Sequence, residues 1–423
     1  MADKQLDKYL PKLRFPEFKD KGEWETYTLE ELFEIRNGYT PSKSNPNFWD
    51  GGTIPWFRME DIRQNGHILS DSIQHITPEA VKGTGLFPAY SIIVATTATI
   101  GEHALIIADS LANQRFTFLT KRKSHDKRID MMFFHQYMFI IDEWCKKNTN
   151  SGGLHSVNMP AFKQLVLPLP SIKEQNAISS LLSSLDECIA ASKEKLEQLK
   201  AHKKGLMQKL FPAPGKTLPE YRFFEHRKNE EWEYQSLGEL FNRVTEKNQI
   251  NNQNVLTISA QHGLINQNGF FNKRVAAEDL TNYVLIKRGD FAYNKSRSQG
   301  FPYGAIKSLQ IYEQGVVSSL YHCFRPKSVE LDSYFFELYF ETDLFNSILS
   351  RIAQEGARNH GLLNITADVF FDIKIPVPQP EEQKTISACF YASMDYINKL
   401  SMRIAQLEDS KKGLMQQMFP TLK

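Results

Sequence analysis

Apolar residues recur every three or four positions along two segments of the chain. The first series is apolar at all but two positions: Ile178, Leu182, Leu185, Ile189, Ser192, Leu196, Leu199, Lys203, Leu206 and Leu210. A second series has the same property: Ile386, Phe390, Ser393, Ile397, Leu400, Ile404, Leu407, Lys411, Leu414 and Met418. Heptad spacing of this length predicts two long helices, each packing along one seam.

Start and stop signals flank both predicted helices. Ser171 and Glu174 have the spacing of a capping box, and Pro380 suits the first turn of the second helix. Pro212 and Pro420 follow the last apolar positions, where a helix rarely continues. About 40 helical residues correspond to a rod of roughly 60 Å.

The two segments belong to an internal repeat. Leu-Pro-Leu-Pro-Ser-Ile-Lys-Glu-Gln begins at Leu167, and Ile-Pro-Val-Pro-Gln-Pro-Glu-Glu-Gln begins at Ile375, 208 positions later. Lys-Lys-Gly-Leu-Met-Gln recurs at the same spacing, from Lys203 and from Lys411. The glycine inside that motif costs each helix about 1 kcal/mol relative to alanine. It indicates either the close approach of a helix or partner, or fraying near a helix end.

The same spacing relates the start of each half, including Arg14 to Arg222 and Trp24 to Trp232. Between these matching edges, residues 35–150 and 243–360 show no convincing similarity. Strand-like runs such as Ser91–Ala95, and an aromatic-rich helical segment over 130–144 with a counterpart over 331–353, indicate mixed α/β structure.

We therefore predict an α+β chain with an internal pseudo-two-fold repeat. Two mixed α/β domains, 1–167 and 213–375, are separated by helices over 168–212 and 376–423. Because each helix connects directly to a domain, an antiparallel coiled coil is the simplest way to pair the two seams. Two amphipathic helices in separate bundles are the alternative.

Composition excludes several classes of protein. The chain has 51 Lys and Arg against 49 Asp and Glu, so bulk charge does not indicate a nucleic-acid binder. Residues 241–330 are the exception, with an excess of basic side chains. The four cysteines are widely spaced, which is typical of a reducing cytoplasm and not of a zinc finger. No apolar run is long enough for a membrane span.

Motifs for catalysis or cofactor binding are missing from the sequence. Gly215-Lys216-Thr217 resembles the end of a phosphate-binding loop, but Leu210 stands where that motif requires glycine. Neither Asn-Pro-Pro-Phe nor a zinc-hydrolase motif occurs. We expect no catalytic residue, no metal and no cofactor in this chain.

The motifs that recur at the edges of the two halves, which we call the frame, resemble the specificity subunit of type I restriction–modification systems. Pro-x-Pro-x-x-x-Glu-Gln, a long helix and Lys-Lys-Gly-Leu-Met-Gln-x-x-Phe-Pro occur twice, and the likeness covers the whole chain. Further matching pieces are Ile54-Pro55-Trp56, Ala98-Thr99-Ile100-Gly101 and the segment from Gly289 to Ser296.

The resemblance implies a cytoplasmic, non-catalytic subunit in which each middle region is a target-recognition domain for one half of a bipartite double-stranded DNA site. The helices would set the spacing and dock two methyltransferase subunits, which bind S-adenosylmethionine. Motor–nuclease subunits using ATP and Mg would join for restriction. The positions expected on the helix pair and at docking contacts are Ile178, Leu182, Leu185, Leu199, Lys203, Gly205, Leu206, Ile386, Phe390, Ile397, Leu407, Lys411, Gly413 and Leu414.

Polar loop residues able to reach base edges or phosphates are the candidates for DNA contact. In the first half these are Asn37, Thr40, Ser42, Lys43, Arg58, Asn113, Gln114, Arg115, Lys121, Arg122 and Lys123. In the second half they are Gln261, His262, Asn294, Lys295, Ser296, Arg297 and Gln299. The run from Asn294 to Gln299 is the strongest candidate because it lies in the basic segment.

Three alternatives remain at this stage. A specificity unit of a fused or type II-like restriction enzyme would need catalytic domains on another chain. A coiled-coil scaffold that binds only proteins explains the seams, but not two domains with matching edges and different interiors. A stand-alone enzyme is disfavoured by the missing motifs.

Overall fold

A computed structural model describes residues 9–150, 155–259, 263–267, 277–297, 301–355 and 363–422. Packing divides the chain into two compact units, Met1–Lys193 with Met402–Lys423 (unit 1) and Glu194–Ser401 (unit 2). Each long helix therefore contributes one part to each unit. The predicted domain limits, which kept the helices apart from the recognition domains, stay a prediction.

Unit 1 is a mixed α/β structure that includes the first part of the first long helix. Its strands are β1 Glu25–Thr28, β2 Phe33–Asn37, β3 Ile54–Phe57, β4 Ile68–Leu69, β5 His75–Ile76, β6 Ser91–Ala95, β7 His103–Ile106, β8 Leu111–Ala112, β9 Phe116–Lys121 and β10 Val166–Leu169. The helices are α1 Leu29–Leu32, α2 Met59–Asn65, α3 Met131–Lys147, α4 Met159–Lys163 and α5 Ile172–Leu210.

Unit 2 contains the corresponding elements of the second half. Its strands are β11 Glu233–Ser236, β12 Phe241–Val244, β13 Leu256–Ser259, β14 Gly263–Asn266, β15 Val284–Lys287, β16 Phe291–Asn294, β17 Ala305–Ser308, β18 Gln314–Val317, β19 His322–Pro326, β20 Gln354–Glu355, β21 Leu363–Asn364 and β22 Lys374–Val377. The helices are α6 Leu237–Leu240, α7 Ser333–Phe340, α8 Asp343–Ile352, α9 Ala367–Phe371 and α10 Pro380–Met418.

Both units contain a sheet whose first four strands follow the same order, although their sequences differ, and unit 1 adds β4 as a fifth strand. The strand order is β2-β9-β6-β7-β4 in unit 1 and β12-β19-β16-β17 in unit 2. Phe33 and Phe241 begin the first strand of each sheet and pair with Lys121 and Pro326. When positions are counted from these two pairs, β9 pairs with β6 in the same register as β19 pairs with β16. Strand order and register, rather than residue identity, carry the repeat through the middle of each half.

The long helices confirm the strongest prediction from the sequence. Each is 39 residues long, and all ten positions of both heptad series are buried or half-buried. Within unit 1, Lys411 lies 2.6 Å from Asp186 and Glu408 lies 2.6 Å from Lys193. Residue numbers therefore rise along one helix while they fall along the other, so the two helices are antiparallel.

Unit 2 shows the same direction of packing between its parts of α5 and α10. The amine of Lys195 lies 5.3 Å from the Tyr396 ring, and the Lys203 amine lies 3.0 Å from the Met394 sulfur. The predicted α+β architecture with two long antiparallel helices and an internal repeat is confirmed.

The recurring Glu-Gln of the frame anchors the start of each long helix. Arg14 makes a bidentate ion pair with Glu174, at 2.6 and 2.8 Å, and the Glu174 side chain is 1% exposed. Gln175 donates to the Pro170 carbonyl and accepts from the backbone N–H of Asp130. The second half repeats both arrangements, with Arg222 on Glu382, and Gln383 on Pro378 and Asp332.

The recurring Phe-Pro places an aromatic ring in each core. Phe419 packs on Trp24 with ring centroids 6.4 Å apart, and Phe211 packs on Trp232 at 6.3 Å. The end of α10 therefore completes the core of unit 1, and the end of α5 completes that of unit 2.

Two expectations about local structure change. The helical segment expected over 331–353 is two helices, because Thr342 caps α8 by accepting from the backbone N–H of Phe345. Gly205 and Gly413 lie inside α5 and α10, in the last two turns, and an added Cβ at either would meet no described atom within 4 Å. Close approach by a described part of this chain therefore does not explain these glycines, and approach by a partner and fraying near the helix end both remain as explanations.

Candidate nucleic-acid interface

One end of each sheet gathers most of the polar loop residues that the sequence indicated. We call it the hairpin end, the end at which β6 turns into β7 and β16 turns into β17. In unit 1, Asn37 lies there at the end of β2. Its side-chain oxygen accepts from the Thr117 hydroxyl at 2.9 Å, and that hydroxyl lies 2.9 Å from the Thr96 hydroxyl. Asn37 is thereby fixed while remaining exposed.

Two predicted loops meet at this end of unit 1. Thr40 donates to the side-chain oxygen of Gln114, which joins the loop after β2 to the loop before β9. An added Cβ on Gly38 would lie 2.3 Å from the Ala112 carbonyl oxygen, so only glycine permits this approach. Asn113 accepts from the backbone N–H of Arg115 at 3.0 Å. The structure thus brings together Asn37, Thr40, Asn113, Gln114 and Arg115.

Three further first-half candidates, Ser42, Lys43 and Arg58, lie in loops or at a helix start. Ser42 is hydrogen-bonded to Ser44 and lies with the exposed Lys43 in the loop after β2. Arg58 caps α2 and pairs with Glu60 at 3.1 Å, so its charge is partly satisfied within the chain.

The basic run over 121–123 lies away from the hairpin end. β9 spans Phe116–Lys121, so Lys121 is roughly 17 Å from the start of that strand. Lys121 pairs with Asp126 at 2.8 Å, and Arg122 donates to the Glu30 carbonyl. Lys123 is exposed in the turn that follows. The structure does not bring this run together with the other candidates.

In unit 2 the hairpin end contains Asn294, Lys295, Ser296 and Arg297. Asn294 accepts from the backbone N–H of Ser296 at 3.0 Å, which shapes the turn after β16. Lys295 donates to the Ile365 carbonyl at 3.2 Å. Gln261, His262 and Gln299 lie outside the described residues.

Sequence reasoning missed two basic residues at this end, Arg243 on β12 and His322 on β19. His322 Nε2 lies 2.8 Å from the Ile365 carbonyl oxygen, the acceptor that Lys295 also uses. Burial lowers the pKa of Lys295, and the charge of Arg243 lowers it further. Burial also lowers the pKa of His322, with Lys295 and Arg243 acting in the same direction. Arg243 stands two positions after Phe241 of the repeated frame, a spacing that could have revealed it.

The docking candidates on the helices are mostly occupied by contacts within each unit. Ile178, Leu182, Ile386, Phe390, Ile397 and Leu407 are buried, whereas Leu185, Leu199, Lys203, Gly205, Leu206, Lys411, Gly413 and Leu414 are half-buried. Lys411 pairs with Asp186 and lies 4.9 Å from the Phe139 ring. Lys203 has no such carboxylate at the equivalent place, and burial lowers its pKa.

Within the described part of the chain, His, Cys, Asp and Glu side chains form no group of three that could hold a metal ion. No helix there has the length and apolar character needed to cross a bilayer.

Known proteins resemble the chain at the level of both sequence and fold. The EcoprrI specificity subunit of Escherichia coli is 50% identical over 162 residues, which are 38% of this chain and 39% of that protein. The MjaVIII specificity subunit of Methanocaldococcus jannaschii is 24% identical over 70% of this chain and 71% of that protein. The first match thus spans about two fifths of that relative's length.

The solved type I restriction–modification S subunit of M. genitalium has the same fold. It covers 97% of this chain and 99% of its own, with a TM-score of 0.55 at 16% identity. The family described as type I restriction modification DNA specificity domain matches residues 21–201 and 229–408, which together make up most of the 423 residues. The resemblance noted in the sequence is confirmed, and the chain belongs to this family of type I restriction–modification DNA specificity domains, with one copy in each half.

Proposed function

We propose that the chain is the sequence-specific DNA-recognition subunit of a type I restriction–modification complex, and that it has no catalytic centre. Each unit reads one half of a bipartite double-stranded target through the hairpin end of its sheet. The observation that carries this proposal is that two sheets, which share the order and register of four strands, present different side chains at the same end. Such an arrangement suits two readers of two different sequences.

The contacts at the hairpin end fit base reading in unit 1. Asn37, Gln114 and Arg115 are exposed, and amide and guanidinium groups are the side chains that pair bidentately with adenine and guanine in the major groove. The proposed contacts therefore comprise this group together with Thr40, Ser42, Lys43 and Asn113. In unit 2 they comprise Asn294, Lys295, Ser296 and Arg297.

The proposed partners follow from the family. Two methyltransferase subunits, which bind S-adenosylmethionine, dock on the long helices, and motor–nuclease subunits that use ATP and Mg complete the restriction complex. Gly205 and Gly413 are the favoured docking positions because no described atom of this chain lies within 4 Å of a Cβ added at either. The assembly works in the cytoplasm. A helix of 39 residues is about 58 Å long, a suitable length for a spacer between half-sites.

Mapping of N6-methyladenine across the genome, with and without this gene, tests the proposal. We expect one two-part methylated motif to disappear when the gene is deleted. Exchange of residues 35–150 for those of another specificity subunit should change one half of the motif and leave the other half intact. A methylation map that does not change, with the methyltransferase expressed, would contradict DNA reading and favour a protein-binding scaffold.

Single substitutions at the two ends of the unit 1 sheet refine this test. Gln114→Ala removes an exposed amide from the hairpin end and should relax one half of the motif. Lys121→Met removes a charge from the opposite end and should leave the motif unchanged. The assignment of the hairpin end is wrong if Lys121→Met alters the motif and Gln114→Ala does not.

A further inference from the structure

Three basic side chains lie on one face of the unit 2 sheet at its hairpin end. His322 is paired across the sheet with Tyr293, and Phe324 is paired with both Phe291 and Arg243. Alternate residues of a strand share a face, so Arg243, His322 and Tyr293 lie on the same side. Lys295 is two positions after Tyr293 and so lies on the same face. Its amine donates to the Ile365 carbonyl that His322 also contacts. Two nitrogen donors thus meet at one oxygen.

Negative charge is missing from the described surroundings of this cluster. Neither Lys295, His322 nor Arg243 has an ion pair with a described carboxylate, and no acidic group contributes to the pKa of Lys295 or of His322. The segments outside the description in this unit (260–262, 268–276, 298–300 and 356–362) contain no Asp or Glu in their sequence, and the side chain of Glu355 is also outside the description.

Two described carboxylates on neighbouring elements do not act as counter-ions of the cluster. Helix α9 packs on the His322 ring through Phe370, at 5.7 Å between centroids, and its Asp368 is exposed. At the other end of β16 and β19, Asp290 is already paired with Arg325 at 2.5 Å. Lys295 and His322 are half-buried and Arg243 is exposed. Because none of the three is paired with a described carboxylate, together they form a site for an anion.

Unit 1 does not have this cluster at the equivalent register positions. Thr96 stands where unit 2 has Lys295, Thr117 where it has His322, and Ile35 where it has Arg243. The two threonine hydroxyls and Asn37 satisfy one another. The cationic site is therefore a property of unit 2 and not of the shared fold.

We propose that Arg243, Lys295 and His322 form a phosphate-binding site that holds one backbone phosphodiester of the DNA, and that binding there is linked to protonation of His322. The inference rests on the function proposed above and adds to it a contact that fixes the position of the duplex. Phosphate contacts of this kind orient a protein on DNA without reading its sequence.

Proton linkage follows from the environment of the imidazole. In the free protein, burial and two cations hold the pKa of His322 below its usual value. A phosphodiester beside the ring favours the charged form and raises that pKa. Binding then takes up a proton at any pH between the two pKa values, and affinity increases as pH falls through that window, by up to about tenfold per pH unit.

The test measures binding of the full chain, assembled with its methyltransferase subunits, to a fluorescent duplex of mixed sequence. Lys295→Met should make the slope of log affinity against log salt shallower by about 0.9, the value for one phosphate contact. His322→Asn keeps a donor but does not titrate, so it should bind as the wild type does at pH 8 and lose the gain in affinity on acidification.

Lys327→Met is the matched control, because the Lys327 amine also donates to a backbone carbonyl, that of Gly238, but at the opposite end of the sheet. It should leave both the salt slope and the pH dependence unchanged. Thermal unfolding of each variant verifies folding.

The outcomes separate this inference from the function on which it rests. A wild-type complex that binds no duplex contradicts the proposed function itself. Binding that responds to Lys295→Met no more than to Lys327→Met overturns the phosphate site while DNA reading stands. If inorganic phosphate, at matched ionic strength, stabilises the wild type but not Lys295→Met, and the DNA slopes are equal, the site takes a small anion and its assignment to DNA is wrong.

Discussion

Mild acid should destabilise unit 1 through a cluster of three histidines. His67, His103 and His135 lie with ring centroids 5.5 to 6.4 Å apart, against the ring of Phe139. His103 and His135 are both buried, and His103 Nε2 has no hydrogen-bond partner among the described residues. Protonation would place a charge where no described anion compensates it.

The size of the effect follows from the pKa of His103. Burial lowers it to about 3, whereas an unfolded histidine titrates near 6.5. Above pH 7.5 both states are neutral, so the group does not affect stability. Below pH 6.5 the unfolded chain binds the proton and the folded chain does not, so stability falls. At pH 5.0 the loss from His103 alone is about 2 kcal/mol, and His135, whose pKa burial also lowers, acts in the same direction.

Urea unfolding at pH 7.5 and pH 5.0, followed by tryptophan fluorescence, measures this loss. Most of the tryptophans lie in unit 1 and one lies in unit 2: Trp24, Trp49, Trp56 and Trp144, and Trp232. Hydrogen exchange of the β6 and β16 amides separates the two units directly. Asp142, whose pKa burial raises, takes up a proton in the folded state as the pH falls and acts in the opposite direction.

His103→Ile is the matched variant, because unit 2 has Ile306 at the equivalent register position, opposite Tyr293. It should remove about 2 kcal/mol of the difference between the two pH values, whatever its effect at pH 7.5. The reasoning is refuted if unit 1 is equally stable at both pH values, or if His103→Ile loses as much stability on acidification as the wild type.

Three further substitutions test the frame, a tight turn and the long helix. Arg222→Met leaves the buried Glu382 carboxylate unpaired and should cost about 3–5 kcal/mol in the free energy of unfolding; an unchanged melting temperature would contradict this. Gly101→Ala should destabilise by about 1–3 kcal/mol more than Gly51→Ala. Both glycines have positive φ, but only at Gly101 would the added Cβ meet a carboxylate oxygen, 1.6 Å away, so equal losses in urea unfolding would count against the clash. Gly205→Ala should stabilise the isolated chain by about 1 kcal/mol. Reduced methylation in cells despite a higher melting temperature would identify a docking contact. A lower melting temperature would show that the helix needs glycine there.

The sequence predicted those parts of the fold that depend on neighbouring residues. The heptad series and its flanking signals located both helices, found over Ile172–Leu210 and Pro380–Met418, and the run Ser91–Ala95 is a strand with the predicted bounds. Local spacing carries such features because the residues that specify a helix or a short buried strand are close in the chain.

What the sequence did not predict depends on pairing between distant strands. The closeness of Asn37 to Thr117, and of Lys295 to His322, follows from the register of β2 on β9 and of β16 on β19. Nothing local indicates which end of a strand a residue will reach. For the same reason the sequence could not show that Lys121 and Asn37, both candidates for DNA contact, lie at opposite ends of the sheet.

The contrast between the frame and the hairpin ends explains why the repeat is visible only at the edges of each half. Residues that recur at a spacing of 208 make contacts that a substitution would leave unsatisfied: the buried carboxylates of Glu174 and Glu382, and the rings of Phe211 and Phe419. At the hairpin ends the backbone register alone is shared. A hydroxyl network in one unit and a cationic cluster in the other both fit it, so these positions are free to diverge without cost to the fold. A chain that keeps its frame constant and varies one end of two equivalent sheets can acquire new half-site specificities independently, one unit at a time.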